Sequence, residues 1–183
     1  MKDNMHKTMR KVWLSLLLTL VCVATIARNP LYVVNSKVAL KQLMKEDVYA
    51  TLVIDWSRAK YDDKKSATAE FGKDFAFIKN DCVDKFIEGF NAKSKGIALE
   101  KNRKKVAYTF VIRVTNMDAY VDVMRGGQWE SKVWGTLKIV KASNGATVAE
   151  VEIEEARNGK DYVRKESFGK TFKRLGEKVA KLK

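Results

Sequence analysis

WESKVWGTLKIVKASNGATVAEVEIEE, residues 129–155, decides the fold, because it alternates, turns and alternates again. In its first arm, residues 129–141, Val133, Leu137 and Ile139 point one way and Lys132, Trp134, Thr136 and Lys138 the other. That is the period-2 pattern of a half-buried strand. In its second arm, residues 147–155, Ala149, Val151 and Ile153 alternate with Glu150, Glu152 and Glu154. Between them stands Ser143-Asn144-Gly145-Ala146, and Asn-Gly readily takes the positive φ angles of a tight turn. The stretch therefore predicts an antiparallel hairpin with lysines on one arm and glutamates on the other. Such cross-strand pairs contribute from a few tenths to about 1 kcal/mol each. A sheet with one apolar face needs a second layer to cover it.

Residues 106–115 form a further strand, with Val106, Tyr108, Phe110, Ile112 and Val114 on one face, and residues 48–56 another, with Val48, Ala50, Leu52, Ile54 and Trp56. Asn116 to Asp118 reads as a bend, and Ala119 to Met124 as a continuation up to the Arg125-Gly126-Gly127-Gln128 turn. Two segments carry the helical period instead. Over 70–93 the stripe is Phe71, Phe75, Ile78, Cys82, Phe86 and Phe90; over 161–182 it is Phe168, Phe172, Leu175, Val179 and Leu182. Gly169 and Gly176 lie seven apart, nearly on one line of the last helix. Each costs about 1 kcal/mol of helix propensity, which close packing on the sheet would offset. Residues 28–47 form a lead-in: an extended run over 31–34, then Leu40, Leu43 and Met44 in a short helix or a turn. The expectation is an α+β domain over 48–183, a single mainly antiparallel sheet with two amphipathic helices packed on one face.

Residues 1–27 read as a cleavable signal peptide. Lys2, Lys7, Arg10 and Lys11 stand against Asp3, an apolar run from Val12 to Ala27 follows, and Thr25 and Ala27 fit the small positions of a cleavage site before Arg28. The run is shorter than the roughly 20 residues a spanning helix needs. Cys22 follows Val21, which is not the small residue that lipidation wants. The expected location is the periplasm or the exterior, with lipid anchoring disfavoured. The whole chain has 183 residues and a formal charge of +14. The signal's four bases and one acid take three of those charges and leave +11 on 156 residues. A charge of this size speaks of solubility and anionic partners, not of fold. In an exported protein the available anions are lipid head groups, lipopolysaccharide and wall polymers; nucleic acid conflicts with export.

The same cleavage strips the chemistry. It removes His6, the only histidine, and leaves Cys82 as the only cysteine. No Ser–His–Asp or Cys–His nucleophile system remains, no usual zinc ligand set, and no intramolecular disulfide. Gly126-Gly127 stands alone, so there is no Gly-rich phosphate loop. Cys82 lies within an apolar stripe and reads as a small buried hydrophobe. Paired carboxylates survive this elimination; the candidates are Asp55, Asp62, Asp63, Asp118 and Asp122, each also explicable as a turn residue or a solvated strand position.

The runs Val53-Ile54-Asp55-Trp56-Ser57, Phe86-Ile87-Glu88-Gly89-Phe90-Asn91 and Val114-Thr115, the Asn-Gly hairpin, and Phe168-Gly169-Lys170 with Leu175-Gly176 occur here together. Over residues 33–183 the chain resembles uncharacterised small exported proteins of Bacteroidetes-type bacteria. More distantly its element order is similar to the α/β envelope domain of the TolB N-terminal region and of some outer-membrane assembly lipoproteins. The resemblance implies an envelope location and brings no catalytic residues; Val21 before Cys22 departs from its lipoprotein members.

The function expected is that of a non-enzymatic exported cell-envelope protein, a binding or assembly accessory. It would need neither cofactor nor metal, and its partner would be another envelope protein or an anionic envelope polymer. Trp134, Tyr120 and Met124, with Arg125 and Trp129 near the turn, form a candidate aromatic binding patch on the face away from the helices. A second layer made by the lead-in would instead cover it. Lys101, Arg103, Lys104 and Lys105, with Lys170, Lys173 and Arg174 of the last helix, are candidate contacts to lipopolysaccharide or wall glycan. A carboxylate-based glycan hydrolase is the remaining alternative.

Overall fold

The computed structural model describes residues 30–182; the stretch over 1–27 expected to be a signal peptide, with Cys22 and His6, lies outside the described residues. The element order is β1 (Leu31–Asn35), α1 (Lys37–Leu43), β2 (Tyr49–Asp55), β3 (Lys60–Tyr61), β4 (Lys65–Ser66), α2 (Ala67–Phe71), α3 (Asp74–Asn91), β5 (Ala98–Leu99), β6 (Tyr108–Asp122), β7 (Gln128–Lys141), β8 (Thr147–Asp161) and α4 (Arg164–Val179). The strands form one sheet in the order β1-β8-β7-β6-β2-β5, with the short β3–β4 hairpin attached to β6.

The Asn-Gly hairpin forms as its sequence demands: Gly145 takes φ +70°, and β7 and β8 pair antiparallel with Leu137 opposite Val151 and Lys138 opposite Glu150. The sheet as a whole is mixed, which corrects the expectation of a mainly antiparallel one. β2 runs parallel to β6, β5 parallel to β2, and β3 parallel to β6. The reason is the chain between β2 and β6. It carries two helices, and a helical crossover returns the chain to the same end, so the strands it joins run parallel.

The alternation that breaks at Asn116 is a β-bulge rather than a bend. Val114 pairs with Gly135 and Asn116 with Trp134, so Thr115 is an extra residue in β6. Phe110, Ile112 and Val114 are buried before it, Met117 and Ala119 after it. A bulge switches which residues of a strand face the core, and here it keeps one strand running through Asp122. β2 and β3 occupy the same edge of β6 on either side of this bulge. β8 is likewise longer than its sequence pattern, since irregularities near Glu155 (φ +50°) and between Arg157 and Gly159 shift its register while Ala156 and Gly159 stay buried.

The helical segment expected over 70–93 is two helices. Ser66 caps α2 by accepting from the Ala69 N–H (3.2 Å), Gly72 (φ +51°) ends it, and α3 follows. Helix α3 reaches the sheet through Phe90, whose ring meets Phe110 edge-on at 5.4 Å; helix α4 reaches it through Thr171, which bonds Ser131. The glycines of α4 do not serve the sheet. A Cβ on Gly176 would stand 2.3 Å from the Phe86 carbonyl oxygen, and one on Gly169 would strike Asp81; Gly89 of α3 is as tightly placed against the Lys173 carbonyl. The glycines let α3 and α4 approach each other. β1 joins the sheet edge beside β8, and Leu40, Leu43 and Met44 enter the common core. The described part of the lead-in therefore leaves the face that carries Trp134 and Tyr120 uncovered.

Candidate functional site

The strands give the molecule two ends. At the end where β2 and β6 begin and β7 finishes, three loops meet. The Ala98 N–H donates to the Val48 carbonyl, Ala107 to Tyr49, and Ala142 to Ala107, which binds residues 48–49, 98–107 and 142 together. Gly96 packs against the backbone of Met44–Glu46, and the Tyr108 hydroxyl donates to Glu46 at 2.8 Å. These loops bring Lys41, Lys45, Lys93, Lys95, Lys104, Lys105 and Lys141 to one end, all exposed and none in an ion pair among the described residues. An open hollow of about 790 Å³ lies among them, lined by Lys104, Lys105, Lys141, Tyr49, Tyr108, Ser143 and Asp47.

Of the basic cluster expected at 101–105, the structure divides the members. Lys101 pairs with Asp84 at 2.8 Å, and Arg103 pairs with Glu100 at 2.7 Å while its guanidinium lies 3.3 Å from the Tyr49 ring centroid. Lys104 and Lys105 stay free, and Lys141 joins them. Lys170, Lys173 and Arg174 gather elsewhere, around a recess of about 450 Å³ with Lys160 and Glu177. There Lys170 binds Asp161 at 2.6 Å, and Lys173 binds Glu88 on α3. Two lysines hold Glu88, and their hydrogen bonds lower its carboxyl from 4.5 to about 2. This second basic group mainly ties elements together, leaving Arg174 exposed and without an ion pair among the described residues.

The opposite end, where β6 finishes, is bulged and internally paired. Asp62, Asp63, Thr115, Asn116, Asp118 and Trp134 line a hollow of about 390 Å³. Asp62 and Asp63 take φ of +50° and +54°, held by Asp62 N–H to the Met117 carbonyl (3.0 Å) and Asp63 N–H to the Asn116 side chain (3.1 Å). Lys64 pairs with Asp62. Asp55 and Asp122 stand apart from this group. Asp55 accepts from Ser57 and Arg113, and those hydrogen bonds hold its carboxyl near 2; Asp122 meets Lys160 at 3.6 Å. No cluster of three metal-ligating side chains exists among the described residues.

The aromatic patch is only partly assembled. Trp134 and Tyr120 share the open face, with Lys132 between their rungs and its ammonium 5.1 Å from the Tyr120 ring. Trp129 has the opposite parity and lies on the helix side, where Arg164 stands over its ring (5.4 Å) and over Tyr61 (4.6 Å) and Phe71 (4.8 Å). An even separation along a strand was needed for Trp129 to join Trp134, and the separation is five. Met124 projects from the tip of the β6–β7 hairpin, 98% exposed, with Arg125 next to it in the 3-10 turn. Cys82 is fully buried, and desolvation pushes its thiol well up, so it packs and does not react.

Two features escaped the sequence. Ser131, Thr171 and Gly159 form a buried polar node: the Thr171 hydroxyl accepts from the Gly159 N–H at 2.9 Å and lies 2.7 Å from the Ser131 hydroxyl. Its signal was a threonine in the Phe168–Phe172–Leu175 stripe. Lys141 was read as the end of a strand, and only the meeting of distant loops makes it part of a basic surface.

No protein family matches this chain, and no curated protein does. Among solved structures it is similar to the PelC dodecamer from Paraburkholderia phytofirmans, at 10% identity over 81% of this chain and 95% of that one, with a TM-score of 0.42. A variant PelC dodecamer from the same organism gives 11% identity over 73% and 86%, with a TM-score of 0.39. A DUF330 protein from Xanthomonas campestris gives 11% over 74% and 84%, with a TM-score of 0.35. Likeness at this level supports neither a shared activity nor a shared assembly. No helix of the described residues is long and apolar enough to cross a membrane.

Proposed function

We propose that this chain is a non-enzymatic exported cell-envelope protein, a binding accessory that meets an anionic partner at its basic end. The observation that carries this reading is the sorting of charge. Elsewhere lysines are widely tied to carboxylates, as in Lys132–Glu155, Lys138–Glu150 and Lys165–Asp74. At the end where β6 begins, seven lysines face Glu46, Asp47 and Glu100, and Glu100 is already taken by Arg103. Like charges kept close together raise each other's cost, and a polyanion removes that cost. Binding of the full chain to lipopolysaccharide or wall polymer, measured across a salt series, tests it. Affinity falling steeply with salt supports the reading; affinity indifferent to salt overturns it.

A second reading, glycan hydrolysis, is favoured by one observation: Asp62, Asp63 and Asp118 share a hollow with Trp134. Paired carboxylates and an aromatic platform are what that chemistry uses. Release of reducing ends from envelope glycans, abolished by Asp118→Asn and by Asp63→Asn, is the expected result; no release by the unmodified chain removes this reading.

A further inference from the structure

We infer that the anionic partner of the basic end is the head-group layer of a lipid surface, on which the protein stands with the start of β6 facing down; this rests on the proposed anion-binding function. Three observations separate a lipid layer from a soluble polymer. The first is breadth. The seven lysines come from four segments spread over the whole end of the molecule, and the hollow among them is open rather than a groove that would follow one chain. The second is residue type. The one arginine of this end, Arg103, is engaged by Glu100 and stacked on Tyr49. What remains free is lysine, a mobile, hydrated point charge that suits phosphates able to move beneath it, and lacks the planar fork that recognises a fixed carboxylate. The third is what lies among the cations. Val34 and Val38, 63% and 73% exposed, flank the start of α1 beside Lys37 and Lys41, and Tyr49, 42% exposed, borders the hollow. Apolar side chains ringed by lysines fit the interface of a bilayer, where lysine stems lie along apolar matter and their ammonium groups reach the phosphates.

The opposite end carries more exposed apolar area, in Val123, Met124 and Tyr162, but nothing there shows what covers it, and fewer of its lysines stand free, Lys60 being one. It serves as the control. The experiment is co-sedimentation of the full chain with phosphatidylglycerol–phosphatidylcholine vesicles and with phosphatidylcholine alone, at low and high salt, alongside a soluble phosphorylated polysaccharide. The expected result is salt-sensitive binding to the phosphatidylglycerol vesicles alone of the two. Each lysine removed weakens it about fivefold, so Lys104→Gln, Lys105→Gln and Lys141→Gln together weaken it about a hundredfold. Val123→Ser with Met124→Ser leaves it unchanged. Thermal unfolding of each variant confirms that it is folded, and single lysine replacements substitute for a triple variant that is not. Binding to the soluble polysaccharide without binding to vesicles overturns the lipid inference and leaves the proposed function standing. Binding to neither overturns both. Vesicle binding lost in the Val123/Met124 variant and kept in the lysine variant also overturns the inference.

Discussion

The two ends of β6 differ in how they treat charge and space. At the Asp122 end, several cations are enclosed or paired: Arg164 lies against three aromatic rings and binds Glu70, Lys160 sits between Asp122 and Glu130, and Lys132 binds Glu155. At the Tyr108 end, loops close on one another through backbone hydrogen bonds while their lysines stand free. Charge at the first end holds elements in place, and charge at the second is left over. Of the lysines without an ion pair among the described residues, seven gather at one end of the molecule.

Substitutions can break this contrast. The largest effect is expected from Gly159→Ala, since its Cβ would stand 1.9 Å from the Ser167 carbonyl oxygen and 2.5 Å from the Thr171 nitrogen. Overpacking of backbone on backbone there should cost about 3 kcal/mol in urea unfolding. At the other end Gly145→Ala meets nothing within 4 Å and suffers only its positive φ, costing about 1 kcal/mol. Equal losses at the two sites would end the distinction between a packed end and an open one. Thr171→Val comes next. It leaves the buried Gly159 N–H without its acceptor, at about 2 kcal/mol, and hydrogen exchange at that amide should speed up.

Acid should act on the helix pair before it acts on the basic end. Glu88 titrates near 2 in the fold against an ordinary 4.5, because Lys173 and Lys85 bond its charged form. A lowered carboxyl contributes stability above its ordinary value, and that contribution fades as pH falls from about 4.5 toward 2. Asp81, raised mainly by burial, acts with the opposite sign and is relieved as it protonates. Unfolding curves across acid pH should show a smaller slope for Glu88→Gln and a steeper one for Asp81→Asn. The smallest effect on stability belongs to the lysines: Lys104→Glu with Lys141→Glu should shift unfolding by less than about 0.5 kcal/mol while abolishing anion binding. A large loss of stability would mean that these lysines, too, are structural.

Much of the fold was legible because period and turn chemistry are local. The Asn-Gly hairpin, the phenylalanine stripes of α3 and α4 and the strand at 48–56 all follow from near neighbours in sequence. What was illegible depends on distant partners. Nothing within β2 states that it lies parallel to β6; the crossover between them does. Gly169 and Gly176 announced close packing, which the sequence reading assigned to the sheet, and the element they pack against proved to be α3. Of the candidate basic site, Lys104 and Lys105 were legible as a charged run, yet Lys101 and Arg103 in the same run are neutralised by Asp84 and Glu100. Trp129 was misplaced although its parity was readable: β7 runs regularly from Trp129 to Trp134, and an odd separation of five sends the two rings to opposite faces.

Thr115 has a consequence for the chain's tolerance of insertions. Without it, Val114 would be followed by Asn116, and Asn116, Met117, Asp118 and Ala119 would alternate outward and inward without interruption, each opposite the same β7 residue as now. The sheet thus has a position where its length can change by one residue while every rung keeps its partner. What would change is the wall of the hollow that Thr115 shares with Asn116 and Trp134, so this end of the molecule can be reshaped by a single deletion that the core does not register.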